Sequence, residues 1–435
     1  MRKFFVLLVA VSFAANIAYS GGIMTNTNQS ASYIRMPARD ASLGIDAVYY
    51  NPAGLTRLAD GFHLSLNNQA IIQNRSIKND FPFNKQSEFK GSVTAPLFPG
   101  VYAAYKTGKL AFSFGFNPVG GGGGAVYEDG LPSFEAAISS QLMPNPLVDD
   151  YRHLVYFEGS SIFFGGQLGL SYEINEVFSL FGGARYVLAT NSYEGYLRDV
   201  EMEIAGNWLA SPIPDIEVDA VQKGNAITPI IGLSIKPNDQ FNIGIKYEFL
   251  TKLELENETA IDGTVLLDGT GMFPDGAKTR SDMPSMLSVG AGYQATPQLN
   301  LSAGVHYYFD KLADYGKRIG GIPVSNEDII DKNFIELAFG LEYSITNSLL
   351  VSGGYLRTRT GVKEEYHSDL SHSLSTNNFG VGGRYAINEM IAVNLGFLMS
   401  FYDEDSRSFN LGPVSVNETY NRDNMVFAVG LDFSF

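Results

Sequence analysis

The chain has no cysteine, which excludes a disulfide scaffold and a Cys-ligated metal site and leaves a protein indifferent to an oxidising compartment. Long apolar runs are also missing: beyond the N-terminus no uninterrupted stretch reaches the roughly 20 residues that a membrane-spanning helix needs. Positive charge is in deficit. Once Arg2 and Lys3 are set aside with the leader described below, 28 basic side chains face 46 acidic ones, a balance of −18. That balance argues against binding nucleic acid through its phosphates. No HExxH or comparable cluster occurs, so no metal and no cofactor is expected.

What is present begins with Arg2 and Lys3, an apolar run from Phe4 to Ala15, and Ala18-Tyr19-Ser20 before Gly21. This is the layout of a secretory signal peptide, expected to span residues 1–20. Gly at 46 residues, Tyr at 24 and Phe at 30 suit β-hairpins with aromatic girdles. The other terminus, NMVFAVGLDFSF, places apolar Met425, Phe427, Val429, Leu431, Phe433 and Phe435 on alternate positions. A strand of that pattern, ending on Phe435, resembles the C-terminal signal that outer-membrane barrels present to their assembly machinery.

Between the ends one unit recurs: strand, short turn, strand, long polar loop. Short turns are expected at Thr107-Gly108-Lys109, Ile174-Asn175-Glu176, Lys236-Pro237-Asn238-Asp239, Thr296-Pro297-Gln298, Ile345-Thr346-Asn347 and Ile387-Asn388-Glu389. Six hairpins, a first strand from Gly61 to Asn74 and a last from Asn424 to Phe435 predict an all-β, fourteen-stranded antiparallel transmembrane barrel over residues 60–435. Apolar rows such as Ile227, Ile231, Leu233 and Ile235, or Leu299, Leu301, Val305 and Tyr307, are expected to meet lipid. The opposite rows, with Asn242, Gly244, Lys246 and Glu248, or Gly380, Gly382 and Arg384, would face the lumen. A secreted β-sandwich would show the same alternation strand by strand. Fourteen strands, unequal loops and the terminal Phe435 favour the barrel.

The stretch LAFSFGFNPVGGGGGAVYEDG breaks the pattern. Leu110, Phe112, Phe114 and Phe116 make one apolar face of a strand. Asn117-Pro118 and Gly120, Gly121, Gly122, Gly123 and Gly124 are then expected to end it, because Pro lacks a ladder donor and Gly has no side chain to pack. Taken alone, this is the start of a flexible loop.

Residues 21–59 carry no alternation and are too poor in apolar content for a domain of their own; they could fill the barrel. Within them Asn51, Pro52, Ala53 and Gly54 follow Asp40-Ala41-Ser42 and Asp46-Ala47 and immediately precede the first strand. This arrangement resembles the N-terminal hatch of the FadL long-chain fatty acid transporter family. The resemblance implies a fourteen-stranded outer-membrane barrel plugged by a hatch. It also implies passage of long-chain fatty acids or other hydrophobic compounds, and a lateral opening at the third strand, where Pro118 and the glycines stand. Expected partners are a hydrophobic small molecule, outer-membrane lipid and the barrel assembly machinery, with a monomer as the working unit.

Two outer loops carry apolar residues at fourth-residue spacing. Phe134, Ile138 and Leu142, before Pro144 and Pro146, predict one short helix; Val200, Ile204 and Trp208 predict another. They would form either a capture site or a cap in which the helices pack on each other. A fatty acid's carboxylate would need a lumenal cation. Lys246, Arg384 and Arg185 are the candidates, against the alternative that each pairs with Glu248, Glu336 or Glu342.

Two rivals remain. A barrel hydrolase would need a Ser, His and acid constellation, but Ser302 and His306 lie roughly 13 Å apart along a strand, and no nucleophile motif supports it. A general porin would need an open lumen, which a segment of the length of 21–59 argues against. Acidic Tyr402-Asp403-Glu404-Asp405 could bind Ca²⁺ or be solvated loop surface.

Overall fold

The computed structural model describes residues 24–25, 30–269, 271–319 and 321–435; the expected signal peptide, 1–20, lies outside the described residues. Alternating sequence gives extended backbone, and each strand finds its hydrogen-bond partners in its neighbours along the chain. In order the strands are β1 (Gly61–Asn79), β2 (Glu88–Ala95), β3 (Gly100–Thr107), β4 (Leu110–Tyr127), β5 (Asp150–Glu173), β6 (Phe178–Ile204) and β7 (Asn207–Ala210). Then come β8 (Ile216–Ile235), β9 (Phe241–Glu248), β10 (Glu254–Asp262), β11 (Lys278–Arg280), β12 (Met286–Gln294) and β13 (Leu299–Tyr308). After the small hairpin of β14 (Arg318–Ile319) and β15 (Ile322–Pro323) follow β16 (Ile335–Ser344), β17 (Leu349–Arg359), β18 (Thr376–Ala386), β19 (Ile391–Tyr402), β20 (Asp405–Leu411) and β21 (Val414–Ser434).

These strands close a barrel of 14 antiparallel positions. β2 and β3 share the second position, each paired with a different stretch of β1. β1 then pairs with β21 from His63↔Ser434 to Asn79↔Glu418, and this seam shuts the ring. A sandwich is thereby excluded. The six expected turns all join neighbouring strands, and Gly108 takes φ 52° in the tightest of them. Rows expected to meet lipid are exposed on the outside, as at Ile227, Ile231, Leu301, Val305 and Leu395, whereas Lys246, Glu248 and Asn394 are buried inside. The ring leaves no free edge strand, and neighbouring strands pair along most of the wall.

Three expectations need correction. The third wall position, β4, does not end at Pro118 but runs on to Tyr127, because β5 keeps pairing with it through two register shifts. The loop after the fifth position is not a helix. Ala205 at φ 52° and Gly206 at φ 76° make a turn that folds β7 back on β6, so Val200, Ile204 and Trp208 lie on a hairpin. The outer strands are longer than expected: β1 continues past Asn74 to Asn79 and β21 starts at Val414.

Residues 30–58 pack inside the ring. Hydrogen bonds tie them to strands all round it: Ala31 N–H to Asn67 Oδ1 (3.0 Å), Gln167 Nε2 to Val48 O (2.7 Å), Asn242 Nδ2 to Ala41 O (2.6 Å) and Arg35 Nη1 to Glu342 Oε1 (2.6 Å). Lumen-facing glycines make the room. A Cβ at Gly304 or Gly290 would run into Asp40, and one at Gly340 into Met36. Gly304→Leu is therefore expected to unseat this segment while leaving the strand ladder intact. Planar-bilayer conductance should rise above the parent's, with the barrel still heat-modifiable on a gel; unchanged conductance would refute the packing argument.

Candidate functional site

The wall is interrupted between its second and third positions. β3 pairs with β4 from Thr107↔Leu110 to Val101↔Phe116, and β2 touches β4 in register at Ser92↔Val126 alone. Between those pairs, residues 117–125 of β4 have no ladder partner on that side. On the facing strand Pro96-Leu97-Phe98-Pro99 leaves the ladder, since neither proline can donate. Three bonds to β1 hold this loop: Gln69 N–H to Phe98 O (3.3 Å), Phe98 N–H to Asn68 Oδ1 (3.1 Å) and Asn68 Nδ2 to Pro96 O (3.2 Å). Leu97 is left 77 % exposed on the outside.

The glycines shape the other rim. Gly121 sits at φ 95° with the Ser161 carbonyl where a Cβ would be, so no other residue fits without strain. Register shifts between Pro118 and Gly120 and between Gly120 and Gly123 push intervening residues out of the β5 ladder. Asn117 is buried toward the lumen, and the Gly122 carbonyl accepts from Arg75 Nη2 at 3.1 Å. The proline and glycines thus lie within the stretch of β4 that has no ladder partner toward β2 and β3. Sequence reasoning missed that the second position breaks too, although Pro96 and Pro99 three residues apart were a readable signal.

In the long loops the first expected helix is present, from Pro132 to Leu142. Ile138 and Leu142 are buried with Tyr151, Leu197, Val200 and Ile216, and Ile204 packs against them. Trp208 lies under the Arg152 guanidinium, 4.4 Å from its ring centre. These side chains therefore form a cap of helix on hairpin. Beside that cap remains an apolar cleft of about 610 Å³, open in part to solvent and lined by Phe134, Phe157, Leu197, Ile213, Met272 and Phe273.

Inside the barrel the motif Asn51, Pro52, Ala53 and Gly54 starts a 3₁₀ turn from Pro52 to Arg57. Ser171 Oγ donates to the Pro52 carbonyl (2.7 Å), Asn51 Nδ2 to Ser42 O (3.1 Å), and Ala53 packs on Phe181 and Ile230. A Cβ at Gly54 would press on the Asn51 side chain. Two of the expected cations are already paired. Glu248 accepts from Arg185 at 2.6 and 3.1 Å and from Lys246 at 2.8 Å, all three fully buried. Arg185 also donates to Gln167 Oε1 (2.9 Å) and Lys246 to Tyr49 O (2.8 Å). Arg384 lines a larger polar cavity of about 1540 Å³, also open in part to solvent, at the short-turn end, with Arg35, Asp46 and Glu342, on the far side from the apolar cleft.

His306 is held by two carboxylates, Asp40 at 2.6 Å and Glu336 at 2.8 Å, which leaves neither ring nitrogen for a nucleophile. In the loops Lys317 Nζ donates to Ser371 Oγ (2.7 Å), and burial pushes the Lys317 ammonium down to about 7. Ser371 is itself 1 % exposed, so no substrate reaches its hydroxyl. Asp403 pairs with Arg357 and Asp405 with His367. No group of three metal-competent side chains occurs among the described residues.

No family model matches the chain, and no curated protein matches it in sequence. Solved structures do match, over nearly its whole length. A Pseudomonas aeruginosa FadL homologue aligns with a TM-score of 0.70 at 15 % identity, covering 95 % of this chain and 100 % of its own. The Ralstonia pickettii toluene transporter TbuX aligns at 0.60 and 16 %, covering 94 % and 99 %. The Pseudomonas putida toluene transporter TodX aligns at 0.62 and 13 %, covering 95 % and 100 %. At such identities the likeness establishes the fold, which is FadL-like.

Because Glu248 holds two buried cations, Glu248→Gln should cost about 3–5 kcal/mol, whereas an apolar replacement of all three groups should cost little. The barrel's unfolding temperature in detergent is expected to fall in Glu248→Gln and largely recover in Arg185→Met/Lys246→Met/Glu248→Leu. Equal stability of the parent and Glu248→Gln would refute the pairing.

Proposed function

We propose that this FadL-like barrel is a passive outer-membrane channel for hydrophobic small molecules, with residues 21–59 as its hatch. A greasy molecule settles in the apolar cleft beside Phe157 and Phe273, passes into a lumen closed by the hatch, and leaves sideways between Pro96–Pro99 and residues 117–125 into the lipid. The observation that carries the reading is the break in the wall beside a filled lumen, where residues 117–125 of β4 have no ladder partner on one side. A closed, plugged barrel passes nothing through its axis; a break in its side offers a dry exit. Lateral release keeps each methylene out of water, at about 0.8 kcal/mol apiece. The structural neighbours, a FadL homologue and two toluene transporters, point the same way.

The general porin is disfavoured by residues 30–58, which are bonded to opposite sides of the lumen. The hydrolase is disfavoured by the occupied His306 and the buried Ser371. The C-terminal strand, paired on both edges with β1 and β19, would be the signal read by the assembly machinery.

The absence of cysteine permits a clean test. Continuing the register from Ser92↔Val126 sets Thr94 opposite Gly124, so Thr94→Cys/Gly124→Cys places two thiols across the break. Cells carrying this variant and lacking other hydrophobic channels should take up labelled oleate or toluene when the pair is reduced and lose that uptake when it is oxidised. Uptake that persists with the disulfide verified by mass spectrometry would sink the lateral route.

A further inference from the structure

We infer that Tyr127 is a clasp across the wall interruption: its ring pins β4 to β2 at the outer end of the opening, limits how far the two rims part, and so sets the size of molecule that leaves sideways. This rests on the channel reading above and adds to it the residue that regulates the exit.

The opening is a slit held at both ends. At its inner end β3 and β4 pair without a gap from Thr107↔Leu110 to Val101↔Phe116. At its outer end the ladder between β2 and β4 is Ser92↔Val126, and a single register pair is a weak fastening beside a continuous ladder. The next step of that register sets Tyr127 opposite Gly91, and the Tyr127 side chain supplies what the backbone lacks. A Cβ at Gly91 would stand 2.5 Å from the nearest carbons of the Tyr127 ring. The ring therefore lies over the β2 backbone, in space that any other residue at position 91 would fill. Beyond β2 its hydroxyl accepts a hydrogen bond from the Arg75 guanidinium on β1. One side chain, 4 % exposed, thus starts on β4, crosses β2 and reaches β1.

The same ring belongs to the packing beneath the outer cleft. Phe89 and Val93 of β2 and Ala125 and Tyr127 of β4 are buried in one cluster with Phe157 and Phe273, and Phe157 and Phe273 line the cleft. Phe134, another lining residue, sets its ring edge-on to Phe157 at 5.4 Å. Both rims of the slit are therefore packed on side chains that a molecule in the cleft touches. The backbone leads to the same place. The Tyr127 carbonyl accepts from Gly130 N–H at 3.2 Å, in the turn that enters the helix from Pro132 to Leu142, and that helix carries Phe134.

An aromatic ring over a strand glycine can serve as cover alone, steadying the strand pair. The position of Tyr127 gives it more to do. It stands where pairing resumes, two residues beyond the stretch 117–125 that has no ladder partner on that side, so the force that parts the rims is borne by this ring and the one register pair beside it. A slit pinned at both ends opens less than a slit pinned at one. A close-packed cluster does not admit a further molecule unless a side chain gives way, and Tyr127 is the member whose ring reaches across the slit. Capture in the cleft and release through the wall are in this way linked by one side chain: what presses on Phe157 presses on the clasp.

Lys90 and Glu128, exposed on the two rims beside the clasp, allow the width to be read directly in a chain without cysteine. Spin labels on Lys90→Cys/Glu128→Cys in the purified barrel should give one narrow distance distribution. Adding Tyr127→Ala should lengthen and broaden it, whereas Tyr127→Phe, which keeps the ring on Gly91, should leave it near the parent's. Gly91→Ala pushes the ring away and should act as Tyr127→Ala does, which keeps the test alive if that variant fails a heat-modifiability check. In cells lacking other hydrophobic channels, uptake of labelled pyrene relative to toluene should rise about tenfold in Tyr127→Ala, the order of discrimination that apolar walls give against added bulk. Parent-like distances in a folded Tyr127→Ala or Gly91→Ala barrel overturn the inference. So does an unchanged pyrene-to-toluene ratio in a barrel whose uptake the oxidised Thr94→Cys/Gly124→Cys pair blocks. Failure of the channel reading shows elsewhere, as undiminished uptake through that oxidised pair, and leaves the label distances to decide on the clasp.

Discussion

A backbone N–H facing hydrocarbon has no water to bond, so every one of them must find a carbonyl. The ring of strands follows from that constraint, and so does the seam in which the last strand returns to the first along its whole length. The same constraint gives the interruption beside β4 its meaning. Between Val101↔Phe116 and Ser92↔Val126 the ladder is given up, and the residues found there are those that give up least. Pro96, Pro99 and Pro118 have no N–H to lose, and the glycines allow bulges that let β5 keep its bonds to β4.

The interior obeys a second constraint. Charge buried in a lumen must be paired, and the pairs here are also fasteners: Arg35 and Arg39 with Glu342, and His306 with Asp40, join the N-terminal segment to the wall. Glycine rows on facing strands let that segment approach closely enough to make those bonds. Wall and filling are therefore a single hydrogen-bonded object. A molecule that enters this interior meets few free donors, the Nε and Nη2 edges of Arg57 and Arg422 among them.

Sequence patterning disclosed the architecture because it reads each strand independently. Alternation at Ile227–Ile235 or Leu299–Tyr307 needs no knowledge of neighbours, and turn chemistry at Gly108 or Pro297 is local. The helix from Pro132 to Leu142 was legible for the same reason. The Val200, Ile204 and Trp208 spacing misled because fourth-residue recurrence fits one face of a strand as well as one face of a helix. The Ala205-Gly206 turn then decided for a hairpin. Lys246 and Arg185 pointed inward as their alternation said, yet alternation does not tell whether a cation meets an acid or stands free.

The sequence by itself determined the number of wall positions, their faces, the short turns, the place of Pro118 and the glycines, and the inward direction of the charged rows, since all of these are properties of residues within a few positions of one another. Register and long-range partnership belonged to the tertiary structure. It set Arg75 against Arg422 across a seam joining the two ends of the barrel and put Pro96–Pro99 opposite the glycines. It also spent Lys246 and Arg185 on Glu248, because which side chains share a space depends on how far one strand slides along the next.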